Sequence, residues 1–82
     1  MQGKIEPSVE AALLEYGIVE ENGVYGIRID ATTKNGFSTK TVHGITPDLS
    51  RAIALMGLLW KQGVSPVNLE DVLLDMGLIS SG

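Results

Sequence analysis

His43 is the one imidazole of this chain, and what it can do depends on what is brought beside it. A general base needs a partner to orient it and a target within reach, and a metal site needs three or four ligands. Asp30 and Glu15 fall on its predicted strand face, but no third group joins them, so a solvated strand histidine is the expected reading. The neighbouring carboxylates Glu20-Glu21 and Glu70-Asp71 form no convincing dyad. The first two flank a predicted turn. The second two open a predicted helix, where negative charge favours the positive end of the dipole whatever the function. No phosphate loop, dinucleotide fingerprint, zinc-protease helix or nucleophile elbow occurs. With no cysteine there is neither thiolate chemistry nor a disulfide frame. The residues that could do chemistry therefore predict a protein that is not an enzyme and holds no cofactor or metal.

The chain has 82 residues, a net charge of −4 and 44% hydrophobic residues. That describes one globular domain, 1–82, with about 1–12 and 79–82 expected to be loosely ordered. No apolar run approaches the ~20 residues of a membrane span, and no signal-peptide pattern follows Met1. The expected location is cytoplasmic. The acidic balance disfavours nucleic acid, whose affinity comes mainly from phosphate neutralisation. Charge is uneven, however. Residues 1–21 set one Lys against five Glu, and residues 64–82 carry Glu70, Asp71 and Asp75 with no base. Arg28, Lys34 and Lys40 against Asp30 make the middle of the chain cationic.

The elements that must position these groups are announced by two Asn-Gly dipeptides, Asn22-Gly23 and Asn35-Gly36. A type I′ hairpin turn needs positive φ at both central residues, which Asn-Gly supplies. With Asn22-Gly23 as the turn, Ile18 faces Ile27, Tyr16 faces Ile29 and Leu14 faces Ala31. All six then lie on one face of the pleat, and Glu15, Arg28 and Asp30 on the other. A two-residue turn at Asn35-Gly36 places Val42 opposite Ile29 and Gly44 opposite Ile27. The alternative, a three-residue loop with a bulge, would turn Thr39, Thr41 and His43 inward.

At Thr46-Pro47-Asp48 the hydrophobic period changes from strand to helix. Thr46 as N-cap and Pro47 at the first helical position predict a helix to about Gln62, closed by Gly63. Its stripe of Leu49, Ala52, Ile53, Met56, Leu59 and Trp60 is the expected lid for the sheet. Trp60 is then expected where helix meets sheet, with Trp60→Ala costing about 3–5 kcal/mol. A second helix starts either at Ser65-Pro66 or at Asn68, covers Leu69, Val72, Leu73 and Met76, and ends near Gly77. The fold class is α+β: a three-stranded antiparallel meander, order 1-2-3, packed against two C-terminal α-helices.

Tyr25-Gly26-Ile27, Ile45-Thr46-Pro47-Asp48 and Val64-Ser65-Pro66 with Leu69 and Asp71-Val72-Leu73 make a pattern over about Leu13 to Met76. It resembles a family of small uncharacterised bacterial proteins, from spore-forming Gram-positive species, that is known as a domain of unknown function. Asn68 stands where that family more often has His. The resemblance implies a short soluble protein and brings no activity, ligand or site residue.

What remains is surface. Leu55, Leu58, Val67 and Leu74 fall outside the predicted core and form the candidate partner surface, for an unidentified protein or a second copy. The expected function is a regulatory protein–protein interaction module. The alternative is a winged helix-turn-helix-like DNA-binding protein, with Gly63-Val64-Ser65 as the turn. Its second helix would show phosphates Glu70, Asp71 and Asp75, with no Arg, Lys or Gln to read bases.

Overall fold

The computed structural model describes residues 13–80. Three strands, β1 (Leu13–Glu21), β2 (Val24–Thr33) and β3 (Gly36–Thr46), precede two helices, α1 (Leu49–Gln62) and α2 (Pro66–Asp75). The strands form one antiparallel sheet in the order β1-β2-β3, as the alternation of the sequence predicts.

The first hairpin has the expected register throughout, from Glu21 opposite Val24 to Leu13 opposite Thr32. Asn22 and Gly23 both adopt positive φ, 56° and 80°, which fixes the turn as type I′. Burial and turn chemistry therefore select the same pairing. Ile27, Ile29 and Ala31 are buried on the inner face, with Tyr16 and Ile18 packed beside them.

The second hairpin departs from expectation. Thr33 pairs with Gly36, so the turn residues are Lys34 and Asn35 rather than Asn35 and Gly36. The cause is the Thr33 hydroxyl, which accepts from the Asn35 N–H at 3.1 Å and donates to the Gly36 carbonyl at 3.4 Å. That local threonine turn displaces the asparagine-glycine turn by one position. Val42 consequently faces Ile27 instead of Ile29. The slip in pairing is even, so Val42 still points inward and Thr39 and Thr41 still point out. Beyond Ile27 the ladder is irregular. Between Ile27–Val42 and Tyr25–Thr46, β2 contributes Gly26 alone while β3 contributes His43, Gly44 and Ile45. Gly44, at φ 67°, lies in this bulge and not opposite Ile27.

The two helices begin differently: α1 has a side-chain cap, whereas α2 starts on Pro66 with no side-chain bond from Ser65. The cap of α1 is Asp48, whose carboxylate accepts from the Ser50 N–H at 2.9 Å. Thr46, the expected cap, ends β3 opposite Tyr25 and instead accepts from the Asp48 N–H. Gly63 closes α1 in the left-handed conformation at φ 66°. Ser65 and Pro66 open α2, and Gly77, at φ 75°, follows its end. Leu78 donates its N–H back to the Leu73 carbonyl, which lays Ile79 against the core.

The core joins Ile27 and Ile29 of the sheet to Leu55 and Leu59 of α1, Val64, and Leu69 and Leu73 of α2. Here the sequence reading of α1 needs correction. Its buried side is Ala52, Leu55 and Leu59, with Met56 half-buried, while Leu49, Ile53 and Trp60 are exposed. The physical reason is that two helices share one sheet face. α1 lies mainly over β1 and β2, α2 over β2 and β3. Leu55 and Leu59 therefore turn toward the cluster that α2 completes, and the opposite flank of α1 is left in solvent.

Tyr16 ties the end of α1 to β1. Its hydroxyl donates to the Val64 carbonyl at 2.7 Å, and burial pushes the phenol pKa above its ordinary value. Tyr16→Phe is expected to cost about 1 kcal/mol in urea unfolding, the usual net worth of one such bond. A variant as stable as the parent would show that this bond does not hold α1 to the sheet.

Candidate functional site

The outer sheet face gathers the groups that could titrate, and it keeps them apart. Asp30 accepts from the Thr39 hydroxyl at 2.6 Å and from Arg28 Nε at 3.0 Å. Thr39 first, and then Arg28, hold its carboxyl below the usual carboxylate range. Glu15 lies directly across the ladder from Asp30, and Arg28 bonded to Asp30 relieves that like-charge contact. His43 sits in the bulge, with Nδ1 3.6 Å from Glu21 Oε1 and both side chains exposed. Its acidic neighbour is thus Glu21, and neither Asp30 nor Glu15 reaches it. Among the described residues no three potential ligands converge on a metal position.

The exposed side of α2 bears Asn68, Glu70, Asp71 and Asp75. Glu70 contacts Lys40 of β3 at 3.5 Å. This face is acidic where a duplex reader would be basic.

The four residues expected to make a partner surface do not do so together. Leu55 is buried in the core at 8% exposure, which removes it. It faces the core cluster that includes Leu69 and Leu73, a placement the helical projection of α1 alone does not reveal. Leu74 is half-buried, and Leu58 and Val67 are exposed. At 100° per residue, Leu58 also projects about 160° away from Trp60.

A different set forms a continuous apolar surface. Leu49, Ile53 and Trp60 are 46%, 50% and 67% exposed. Their spacing of four and seven residues puts them in one file along α1, beside half-buried Met56. Between the Met56–Trp60 end of this file and β1 lies an open groove of about 480 Å³, lined by Leu14, Glu15, Tyr16, Met56, Gly57 and Trp60. β1 is an outer strand of the sheet, so one side of its backbone has no partner strand among the described residues. The groove therefore sits between an apolar helix flank and a row of peptide groups unpaired among the described residues.

The two edges of the sheet differ. β3 is broken by its bulge, an established way of spoiling an edge for further pairing. β1 pairs without interruption over nine residues and contains no proline or lysine. At its centre is Gly17, where an added Cβ would meet nothing. An interior strand glycine forgoes roughly 0.5–1 kcal/mol relative to alanine, and nothing within the described chain requires it.

A signal for this surface was present in the sequence, since the apolar arc of α1 is wider than a sheet can cover. Which side of the arc stays exposed is set by α2. No helix among the described residues is long and apolar enough to cross a membrane. A family model described as a family of unknown function (DUF6514) matches residues 4–77. No curated protein and no solved structure matches the chain.

Proposed function

The chain belongs to the family of unknown function DUF6514, and from that premise we propose that it is a small non-enzymatic regulatory module acting by protein–protein contact. The observation that carries this reading is the file of Leu49, Ile53 and Trp60 standing exposed beside the edge of β1 that has no partner strand among the described residues. Burying one such side chain contributes about 1.5–3 kcal/mol, so a partner covering three of them gains substantial affinity from a narrow strip. Tryptophan is also the residue type most enriched among the anchors that dominate interface energies. The outer sheet face exposes Leu13 and Phe37 at one end only, on either side of Thr32. Its centre is the bonded set Arg28, Asp30 and Thr39.

The test is photo-cross-linking in the native cell, with a photoreactive amino acid placed singly at Ile53, Trp60 or Thr39. Protein adducts are expected from the two helix positions and not from Thr39. Equal adducts from all three positions, or none from the helix, would reject the interaction flank.

A further inference from the structure

We infer that the partner of this flank is a second copy of the chain, joined β1 to β1 about a two-fold axis at Gly17. The inference rests on the interaction reading above and names its occupant. It begins with the hydrogen-bond parity of β1. A two-residue turn bonds the Glu21 carbonyl to the Val24 N–H, so alternate residues back along the strand, Val19, Gly17 and Glu15, exchange their bonds with β2. The N–H and C=O groups of Leu14, Tyr16, Ile18 and Glu20 consequently point away from β2, toward the free edge. They form a regular set of donors and acceptors that an antiparallel strand can satisfy.

A copy of β1 fits that edge. With the axis at Gly17, Tyr16 meets Ile18 across the joint, Leu14 meets Glu20, Glu15 meets Val19 and Leu13 meets Glu21. No two carboxylates stand directly opposite. Gly17 meets Gly17 on the axis, which gives a purpose to a strand glycine whose side-chain position is otherwise empty.

The helix layer obeys the same axis. One end of α1 is held near the Tyr25–Thr46 pair, beside Glu20, and the other near Val64, bonded to Tyr16. Met56 and Trp60 line the groove beside Leu14, Glu15 and Tyr16, and α1 starts near Glu20, so the apolar file runs along β1 on both sides of Gly17. One rotation that pairs the strands thus also brings Leu49, Ile53 and Trp60 of each copy against the same residues of the other. The self-complementary contact is isologous and closed. The product is a six-stranded sheet with its helices on one face.

The size is adequate. Nine strand residues span about 30 Å, and the strand and helix layers together are about 20 Å deep. The flank of roughly 600 Å² per copy approaches the ~800 Å² of a standard interface. Charge supplies a signature. β1 carries Glu15, Glu20 and Glu21 with no base, so the copies repel mildly and the dimer tightens as salt rises.

Sedimentation equilibrium of the full chain, with amide hydrogen exchange at concentrations above and below dissociation, tests this. The expected result is a dimer strengthened by salt, with the amides of Leu14, Tyr16, Ile18 and Glu20 protected only in the dimer. Ile53→Glu and Trp60→Glu each replace an exposed side chain, and each is expected to weaken dimerisation by at least about 30-fold, with unchanged circular dichroism. A chain still monomeric near millimolar concentration overturns the proposal. So does a dimer indifferent to both substitutions, or one that leaves those four amides unprotected. If a monomeric chain cross-links from positions 53 and 60 to a different protein, or to its own residues 1–12, the second copy is ruled out. Adducts to a different protein would leave the interaction reading standing.

Discussion

Leu59→Ala is expected to destabilise the domain by about 3–5 kcal/mol, and Trp60→Ala, one residue further along α1, by less than about 1 kcal/mol. Size alone predicts the reverse, because tryptophan has more surface to lose. What decides the matter is the direction each side chain takes. Leu59 is fully buried between Ile27 and Ile29 of the sheet and Leu69 and Leu73 of α2. Removing three of its carbon atoms leaves a cavity bounded by both helices and the sheet, and none of these can collapse without disturbing the others. Trp60 is 67% exposed, so truncating it costs little packing in the isolated domain. A domain of this length has a total stability of only roughly 4–12 kcal/mol. Leu59→Ala therefore removes a large share of it. The check is urea unfolding at low micromolar concentration, where self-association does not contribute. A loss above about 2 kcal/mol for Trp60→Ala would place the indole in the core and remove the basis of the interaction flank.

That pair of residues also marks where sequence reasoning reached and where it stopped. Asn22-Gly23 has one low-energy turn available, and only one register puts Tyr16, Ile18, Ile27 and Ile29 together on the inner face. Local and global preferences agree, and the first hairpin was legible from sequence. At Asn35-Gly36 the same dipeptide misled, because the Thr33 hydroxyl offers the backbone a competing bond that a two-residue motif does not encode. Even so, the inward face of β3 was legible, since the displacement is even and a pleat repeats every two residues.

Helix α1 failed differently. Its apolar residues cover an arc wider than one packing face, so periodicity yields a broad range of orientations. Selection within that range comes from α2, through Leu69 and Leu73, which lie well along the chain from Leu55. The position of the exposed flank is thus a tertiary result. The chemistry-bearing residues were easier to read. His43, Glu15 and Asp30 were expected as wet groups on one strand face, and Asp30 is stabilised by neighbours two and nine residues away.

Gly26→Ala is expected to cost at least about 3 kcal/mol, the upper end of what overpacking usually costs. In a domain of this size that lowers Tm by more than about 12 °C. The residue is buried on the central strand, and a Cβ built on it would collide with the Val42 carbonyl oxygen and lie 2.8 Å from His43 Cα. Both are backbone atoms of β3, so no rotamer change can make room. The strand itself must move. It cannot move freely, because the bulge of His43, Gly44 and Ile45 folds over this glycine before Thr46 returns to pair with Tyr25. That return delivers the chain to the Asp48 cap and sets where α1 starts. Forcing β3 outward therefore disturbs the sheet, the half-buried Ile45 against the core, and the entry to α1 together. Gly17→Ala is the control, being also a glycine within a strand, but one whose added methyl would meet nothing. At low micromolar concentration, where self-association does not contribute, it is expected to leave stability within about 1 kcal/mol of the parent, or slightly above it. Thermal unfolding of the two variants side by side separates loss of glycine as such from loss of the close approach. Equal effects would mean that β3 does not cross Gly26 at this distance, and that something other than the bulge fixes the start of α1.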